Sequence, residues 1–281
     1  MRSVFVLIAV LAFAAGASAA PDKGVPRLLF PVVGTTTYYD DFGAPRSGGS
    51  HEGNDLLAER HAPAVAVEAG TVKFWTTSWA AGCMLYLYGK SGTTYLYIHL
   101  NNDLTAKNDN RGKCAAGTAY APGLKSGQKV AAGELVGYVG DSGDANGIHP
   151  HLHFEVHPND GGAVDPYPYL KKAQPLLFYA ERTETVALSL TGTILSALDD
   201  VLKVKTSEVQ LNSAKPQETE RTLSLALAPD TTVTSPPPFT ALNVLTRGLA
   251  VKVATQPVRA TLAVQRGDAN VLTASQIVVG G

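Results

Sequence analysis

The segment His151-Leu152-His153-Phe154-Glu155-Val156 decides the fold of the first half of this chain, because it joins a β-strand pattern to two imidazoles. Alternate side chains of a strand point to the same face. His151 and His153 are therefore predicted to project together into one site, with Leu152 directed into the core behind them. Glu155 shares their face, either as a group that orients a metal ligand or as an ordinary polar position.

A second segment, His51-Glu52-Gly53-Asn54-Asp55, supplies a further imidazole and a carboxylate. Residues four apart also meet on a helix, but Gly53 and Asn54 favour a loop that leads into a strand at Asp55–Leu57. His99 ends a predicted strand and can reach the same cleft from a neighbouring strand. The two segments together fit a catalytic zinc site, which uses three protein ligands and leaves the fourth position to water.

The remaining histidines are predicted to be structural or surface residues. All seven histidines lie between His51 and His157, which ties this residue type to one part of the chain. His61, His149 and His157 have no partner in the sequence pattern. The run from His149 through His151 to His153 leaves a copper or nickel site as an alternative. Pro150 disfavours it, since the chain is predicted to turn there.

The first residues have the form of a secretory signal peptide, predicted over residues 1–19. Arg2 precedes an apolar run that is too short for a membrane span, and Ala17-Ser18-Ala19 supplies small residues for cleavage. A buried N-terminal helix is the alternative. No later stretch is predicted to insert into a membrane. We therefore expect a secreted protein, periplasmic or extracellular.

Composition favours a mostly β protein, and its charge balance does not indicate a strongly charged binding partner. The chain has 23 basic and 24 acidic side chains, which gives no reason to expect nucleic acid or anionic membrane. Its 27 glycines and 17 prolines indicate short strands and turns. Cys83 and Cys114 are predicted to form a disulfide after export, worth about 3–4 kcal/mol. Two unpaired thiols and a cysteine zinc ligand are the alternatives.

The chain divides near residue 175, into a domain at 26–173 and a smaller all-β domain at 180–281. Strands predicted in the first are Thr71–Trp75, Met84–Tyr88, Tyr95–Leu100 and Leu152–Val156. Strands predicted in the second are Thr185–Leu190, Val201–Thr206, Thr222–Leu227, Leu249–Ala254 and Val258–Gln265. This spacing indicates a small β-barrel or sandwich, with a weak similarity to OB-like barrels. Balanced charge and a single aromatic residue, Phe239, argue against nucleic-acid binding there.

An ordered set of motifs resembles the lysostaphin/LytM-type zinc metallopeptidase family. The similarity covers about Phe30 to Pro166. The motifs are His51-x-Gly53-x-Asp55-Leu56, Tyr97-Ile98-His99-Leu100, Gly127-Gln128-Lys129-Val130-x-x-Gly133, Gly137-x-Val139-Gly140 and His151-Leu152-His153-Phe154-Glu155-Val156.

The resemblance implies an antiparallel β-sheet metallopeptidase domain that hydrolyses peptide bonds in cell-wall peptidoglycan. It implies one Zn2+ per chain, bound by His51, Asp55 and His153, with His99 and His151 as unbound catalytic residues. Two features depart from the family pattern. The stretch Asn101–Lys125 is longer than usual, carries Cys114 and is predicted to form a wall of the groove. His61 stands where glycine commonly occupies a tight turn.

Two functions remain open at this point. In one, the protein is an endopeptidase that cuts stem peptides or cross-bridges. In the other, the groove only binds, and the protein regulates another wall hydrolase. Retention of all five expected metal and catalytic residues favours the enzyme. The second domain is expected to bind the wall, to bind a protein partner, or to serve a purely structural role.

Overall fold

The computed structural model describes residues 24–46, 48–235 and 245–280. The predicted signal peptide lies outside the described residues. Ten strands come first along the chain: β1 Pro45–Arg46, β2 Gly49–Ser50, β3 Asn54–Leu57, β4 Pro63–Val65, β5 Gly70–Trp75, β6 Cys83–Gly89, β7 Thr94–Leu100, β8 Lys129–Val130, β9 Leu135–Tyr138 and β10 His151–His157. Short 3-10 helices at Gly143–Ala145 and Pro158–Asp160 and the helix α1, Tyr167–Leu170, complete this region.

Six of these strands form one antiparallel sheet in the order β3-β10-β7-β6-β5-β8. The four strands predicted here are each present, with ends that differ by at most one residue. The predicted antiparallel, mostly β architecture is confirmed. Because β10 pairs with both β3 and β7, it lies between the segments that carry the other site residues.

One face of the sheet packs against the hydrophobic core, and the opposite face carries the candidate site residues. Leu152, Phe154 and Val156 are fully buried in this core, together with Tyr95 and Tyr97 of β7. Their alternation with His151, His153 and Glu155 follows from the two-residue period of a strand. The prediction that Leu152 points into the core is confirmed.

The C-terminal region forms a closed five-stranded barrel, which confirms the expected second β unit. The described part of the region has seven strands: β11 Thr185–Val186, β12 Leu188–Leu198, β13 Val201–Leu211, β14 Gln217–Thr234, β15 Ala250–Thr255, β16 Val258–Arg259 and β17 Leu272–Val279. Of these, β11 and β16 pair with each other outside the barrel. The barrel order is β12-β13-β14-β17-β15. It encloses a separate hydrophobic core. The domain limits and the OB-like similarity stay predictions.

The predicted strand Val258–Gln265 is wrong. Only Val258–Arg259 is a strand, and helix α2 follows at Leu262–Arg266. The Thr261 side chain caps this helix by accepting a hydrogen bond from the Val264 backbone N–H, and Gly267 ends it in a left-handed conformation. An N-cap threonine and a glycine just past the last turn are helix signals that outweigh a β-rich composition.

A small apolar cluster joins the two regions. Leu29, Val33, Val65 and Leu176 are buried together, and Leu262 of α2 packs against them. No helix in the described part of the chain is long and apolar enough to cross a membrane.

Candidate metal centre

Strand register brings two of the predicted metal ligands face to face. His153 of β10 is the direct cross-strand partner of Asp55 of β3. His51 lies in the loop between β2 and β3, which confirms the loop predicted there. Gly53 lets this loop cross closely over β10, since a Cβ there would lie 2.6 Å from the Phe154 carbonyl and 2.8 Å from His153 Nε2. The loop therefore brings His51 close to the paired strands β3 and β10.

Three candidate ligand atoms converge on one point. His51 Nε2 lies 2.9 Å from His153 Nδ1 and 3.1 Å from Asp55 Oδ1, and the last two atoms are 3.0 Å apart. Zinc–nitrogen bonds of 2.0–2.1 Å in a tetrahedron place ligand atoms roughly 3.3 Å apart. These residues, the inner triad, thus fit a zinc ion. They are the one group of three candidate metal ligands that the described residues bring together.

Second partners fix the orientation of both triad imidazoles. His51 Nδ1 lies 2.9 Å from the backbone carbonyl of Asp41, and His153 Nε2 lies 3.0 Å from Glu155 Oε1. A ligand imidazole commonly donates its other N–H to such an acceptor, which sets the tautomer. Glu155 therefore orients a candidate ligand, one of the two roles considered for it. Asp41 was missed, because its acceptor is a backbone carbonyl that no residue type encodes.

Two further imidazoles flank the inner triad, and we call them the outer pair. His99 Nδ1 contacts the Ser142 carbonyl at 2.9 Å, and His151 Nδ1 contacts the His149 carbonyl at 3.0 Å. Each ring thus keeps Nε2 free of a backbone partner. His151 Nε2 lies 3.7 Å from Asp55 Oδ1, and the ring centres of His99 and His151 are 5.0 Å apart. The structure brings all five predicted site residues together.

His99 adopts a left-handed backbone conformation, with φ of 61°. Non-glycine residues in this region carry strain that the surrounding structure must hold. The neighbouring strand supports it, because β6 shifts register between Cys83 and Leu85 next to this point. The His99 amide also donates to the Ala81 carbonyl at 3.2 Å. The turn aims the imidazole at the site instead of continuing the alternation of β7.

Protonation follows from burial and from these contacts. Burial and the neighbouring His151 lower the pKa of His99 to about 3, so this ring is neutral near pH 7. Burial opposes the charge on His153, but hydrogen bonds to Asp55 and Glu155 prevail and raise its pKa to about 9. Burial also acts against the Asp55 carboxylate, yet hydrogen bonds from His153 and His51 hold its pKa well below the usual range. Metal binding must displace the proton of His153.

An arginine on the hairpin formed by β1 and β2 reaches the triad from outside. Arg46 Nη2 lies 2.7 Å from Asp55 Oδ2 and 3.6 Å from Asp41 Oδ2. It therefore holds the oxygen of Asp55 that faces away from the triad. The sequence pattern did not reveal this residue, because the hairpin that carries it has only two-residue strands.

A buried ionic cluster supports the loop that holds His99. Arg60 binds Asp141 with both terminal nitrogens, at 2.5 and 2.8 Å, and also contacts Asp103. Both carboxylate side chains are fully buried. Asp141 immediately precedes Ser142, and Asp103 accepts from the backbone amides of Asp109 and Asn110. This cluster was also missed, because its members are far apart in sequence.

The three other histidines differ in outcome. His149 is exposed, in keeping with the prediction, and only its backbone carbonyl contacts the site. His157 is hydrogen-bonded, in keeping with the predicted structural or surface role, since its Nε2 lies 2.6 Å from Glu155 Oε2. His61 keeps the left-handed conformation of a glycine turn, with φ of 66°. Copper or nickel binding by His149, His151 and His153 has no support, because His149 is not in the cluster.

The disulfide predicted between Cys83 and Cys114 is present. It joins β6 to the insertion Asn101–Lys125. Asn108 and Asn110 of the insertion donate to Asn146 Oδ1 at 2.9 and 3.0 Å. The loop that contains Asn146 also carries Asp144, whose carboxylate lies 3.8 Å from His99 Nε2. The insertion thus contacts the rim of the site, as expected for part of a groove wall.

Comparison with known proteins connects this site to a peptidase family. Residues 105–166 match the model of Peptidase family M23. This match includes His151 and His153. The predicted resemblance is confirmed. An L-Ala–D-Glu endopeptidase of Bacillus subtilis is 27% identical over 161 residues, which are 53% of this chain and 44% of the relative. The chain thus spans less than half the length of this relative.

Solved structures of similar proteins include the catalytic domain of lysostaphin from Staphylococcus simulans. It is 26% identical, covers 48% of this chain and 92% of its own, and has a TM-score of 0.36. A glycyl-glycine endopeptidase-like protein from Ruminococcus gnavus is 28% identical, covers 52% of this chain and 59% of its own, and has a TM-score of 0.40. The family match and the curated relative support a peptidase related to cell-wall hydrolases.

Proposed function

We propose that this protein is a secreted zinc metalloendopeptidase that hydrolyses peptide bonds of bacterial peptidoglycan. One observation carries the proposal. The candidate ligand atoms of His51, Asp55 and His153 converge at 2.9–3.1 Å, and two further imidazoles stand beside them without joining the cluster. A site with three ligands and adjacent free bases matches catalytic rather than structural zinc.

A zinc ion in the triad would polarise the scissile carbonyl and lower the pKa of a bound water toward 7. The outer pair performs the proton transfer. Neutral His99 accepts a proton through Nε2, because its Nδ1 is committed to the Ser142 carbonyl. His151 presents its Nε2 3.7 Å from the triad carboxylate, where, once it has accepted a proton, it donates to the negative charge on the substrate oxygen.

We further propose that the bond cut lies in the stem peptide near its attachment to the glycan. The relative named as an L-Ala–D-Glu endopeptidase supports this choice. The Arg46 side chain beside the site is half-exposed, and its guanidinium, which binds Asp55, can also meet a carboxylate of the stem. Secretion agrees with a substrate outside the cytoplasm and with the disulfide.

Metal content and peptide release from purified sacculi, measured on one preparation, test the proposal. We expect close to one zinc per chain, cleavage that stops when a chelator removes the metal, and recovery when zinc returns. Mass spectrometry of the released fragments identifies the bond. Full zinc occupancy without cleavage of any wall type tested would contradict the enzyme and favour a groove that binds and regulates another hydrolase.

A further inference from the structure

The groove face of the main sheet carries a row of aromatic side chains beyond the metal centre. Trp75 of β5 and Tyr88 of β6 are 39% and 38% exposed, and Tyr86 lies between them. The rings of Trp75 and Tyr86 meet edge to face at 5.9 Å, and those of Tyr86 and Tyr88 are stacked at 6.1 Å. We call Trp75, Tyr86 and Tyr88 the aromatic strip. Grouped exposed aromatics on a rigid sheet mark a binding surface.

Register places the aromatic strip on the same face as the metal ligands. Tyr86 pairs with Leu96 of β7, and Leu96 pairs with Glu155 of β10. Directly paired residues project to one face of a sheet, so Tyr86 and Glu155 lie in one row. The pKa of Tyr86 is raised by burial and by the charges of Tyr88 and Glu155, as this proximity requires. The strip thus continues the floor of the metal site.

Distance fits a substrate that extends from the metal centre to the strip. Neighbouring strands are roughly 4.8 Å apart, so Tyr86 on β6 is two strands and about 10 Å from Glu155 on β10, the residue that holds the His153 ring from behind. An extended residue spans roughly 3.3–3.6 Å. One or two residues of a stem peptide and the ether that joins it to the sugar therefore bridge this gap.

The chemistry of the strip fits a sugar better than an apolar peptide. Its rings are flat, two of them end in hydroxyl groups, and the Lys73 ammonium lies 5.5 Å from the centre of the Trp75 ring. A pyranose offers C–H faces for stacking and hydroxyl groups for hydrogen bonds, so both halves of this surface find a counterpart.

We propose that the aromatic strip binds pyranose rings of the glycan strand while the attached stem peptide lies at the metal centre. The inference rests on the proposed function and names the part of peptidoglycan that the groove recognises. It makes the protein a hydrolase for peptides that are still attached to glycan.

Tryptophan fluorescence tests binding at the strip directly. The chain has two tryptophans, Trp75 and Trp79, so Trp79→Phe leaves the strip residue as the sole tryptophan. The probe is a tetramer of β-1,4-linked N-acetylglucosamine without peptide. We expect a saturable change in Trp75 emission, and at least tenfold weaker binding in Trp79→Phe/Tyr88→Ala. Calorimetry on the unaltered protein gives the same binding constant independently of the Trp79 substitution.

Tyr39→Ala is the matched control, because Tyr39 is 61% exposed and lies outside the strip. Its affinity for the tetramer should match that of the parent protein. Absence of saturable binding by both methods, or equal binding in the Tyr88→Ala variant, would overturn the proposal. Binding needs neither metal nor cleavage, so this result does not depend on the proposed hydrolysis.

A kinetic comparison links the strip to the substrate. The kcat/KM for glycan-attached stem peptide should exceed that for the free peptide, and Tyr88→Ala should reduce this ratio about tenfold. Equal kcat/KM values for the two substrates would contradict glycan binding by the aromatic strip but not the proposed peptidase activity. Failure to cleave either substrate, with tetramer binding retained, would contradict the peptidase alone.

Discussion

The inner triad and the outer pair use the same kind of side chain for different tasks, and their second contacts explain the difference. All four imidazoles have one nitrogen held by a backbone carbonyl or a carboxylate. Nitrogens of the triad then meet a carboxylate oxygen at 3.0–3.1 Å, whereas His151 Nε2 stands 3.7 Å away from it. A shift of less than 1 Å thus separates a candidate ligand from a candidate base.

The largest effect is expected for a triad residue. His153→Ala removes one of three protein ligands, so zinc content should fall from near one per chain to background and cleavage should disappear with it. Metal analysis after dialysis against dilute zinc measures this. His149→Ala is the matched control, since its exposed side chain is outside the cluster. Tight zinc binding by the His153→Ala variant would contradict the assignment of His153 as a metal ligand and, with it, the distinction between triad and pair.

Loss of an outer-pair residue should separate metal binding from catalysis. His151→Ala is expected to keep zinc while kcat falls about 10²–10⁴-fold, the usual cost of removing a general acid or base. Stopped assays on a defined stem peptide, with zinc measured on the same sample, test this. Simultaneous loss of zinc would assign His151 to the ligands.

The sequence pattern predicted most residues of this site, and the physical reason differs from residue to residue. His151 and His153 are adjacent on one face because strand alternation is local, and Asp55 and His99 follow once the strands pair. The C-terminal helix α2 was missed because its five residues sit in a β-rich context, although Thr261 and Gly267 mark its ends. The Arg60 cluster depends on contacts between residues 43 and 81 positions apart, which no local pattern encodes.

Arg60 supports the loop that contacts His99 of the outer pair, and its loss is expected to lower the stability of the fold. Arg60→Gln leaves the fully buried Asp141 and Asp103 without their cation, so the free energy of unfolding should fall by about 3–5 kcal/mol. Denaturant unfolding measures this. Arg266→Gln is the control, because its ion pair with Asp268 is more exposed and is expected to contribute at most about 1 kcal/mol. Equal effects of both substitutions would contradict the larger contribution expected from the buried cluster.

The smallest effect should come from a carboxylate behind the triad. Glu155→Gln keeps an oxygen that can accept from His153 Nε2 but removes the charge that polarises this imidazole. Zinc affinity should fall about tenfold, at the low end for such partners, with kcat at saturating zinc close to that of the parent. Competition with a zinc chelator measures the affinity. Because Glu155 also contacts His157, His157→Ala is the control, and it should change zinc affinity less. Loss of kcat at full zinc occupancy would instead place Glu155 with the outer pair, because a residue acting only through His153 changes how tightly the metal is held.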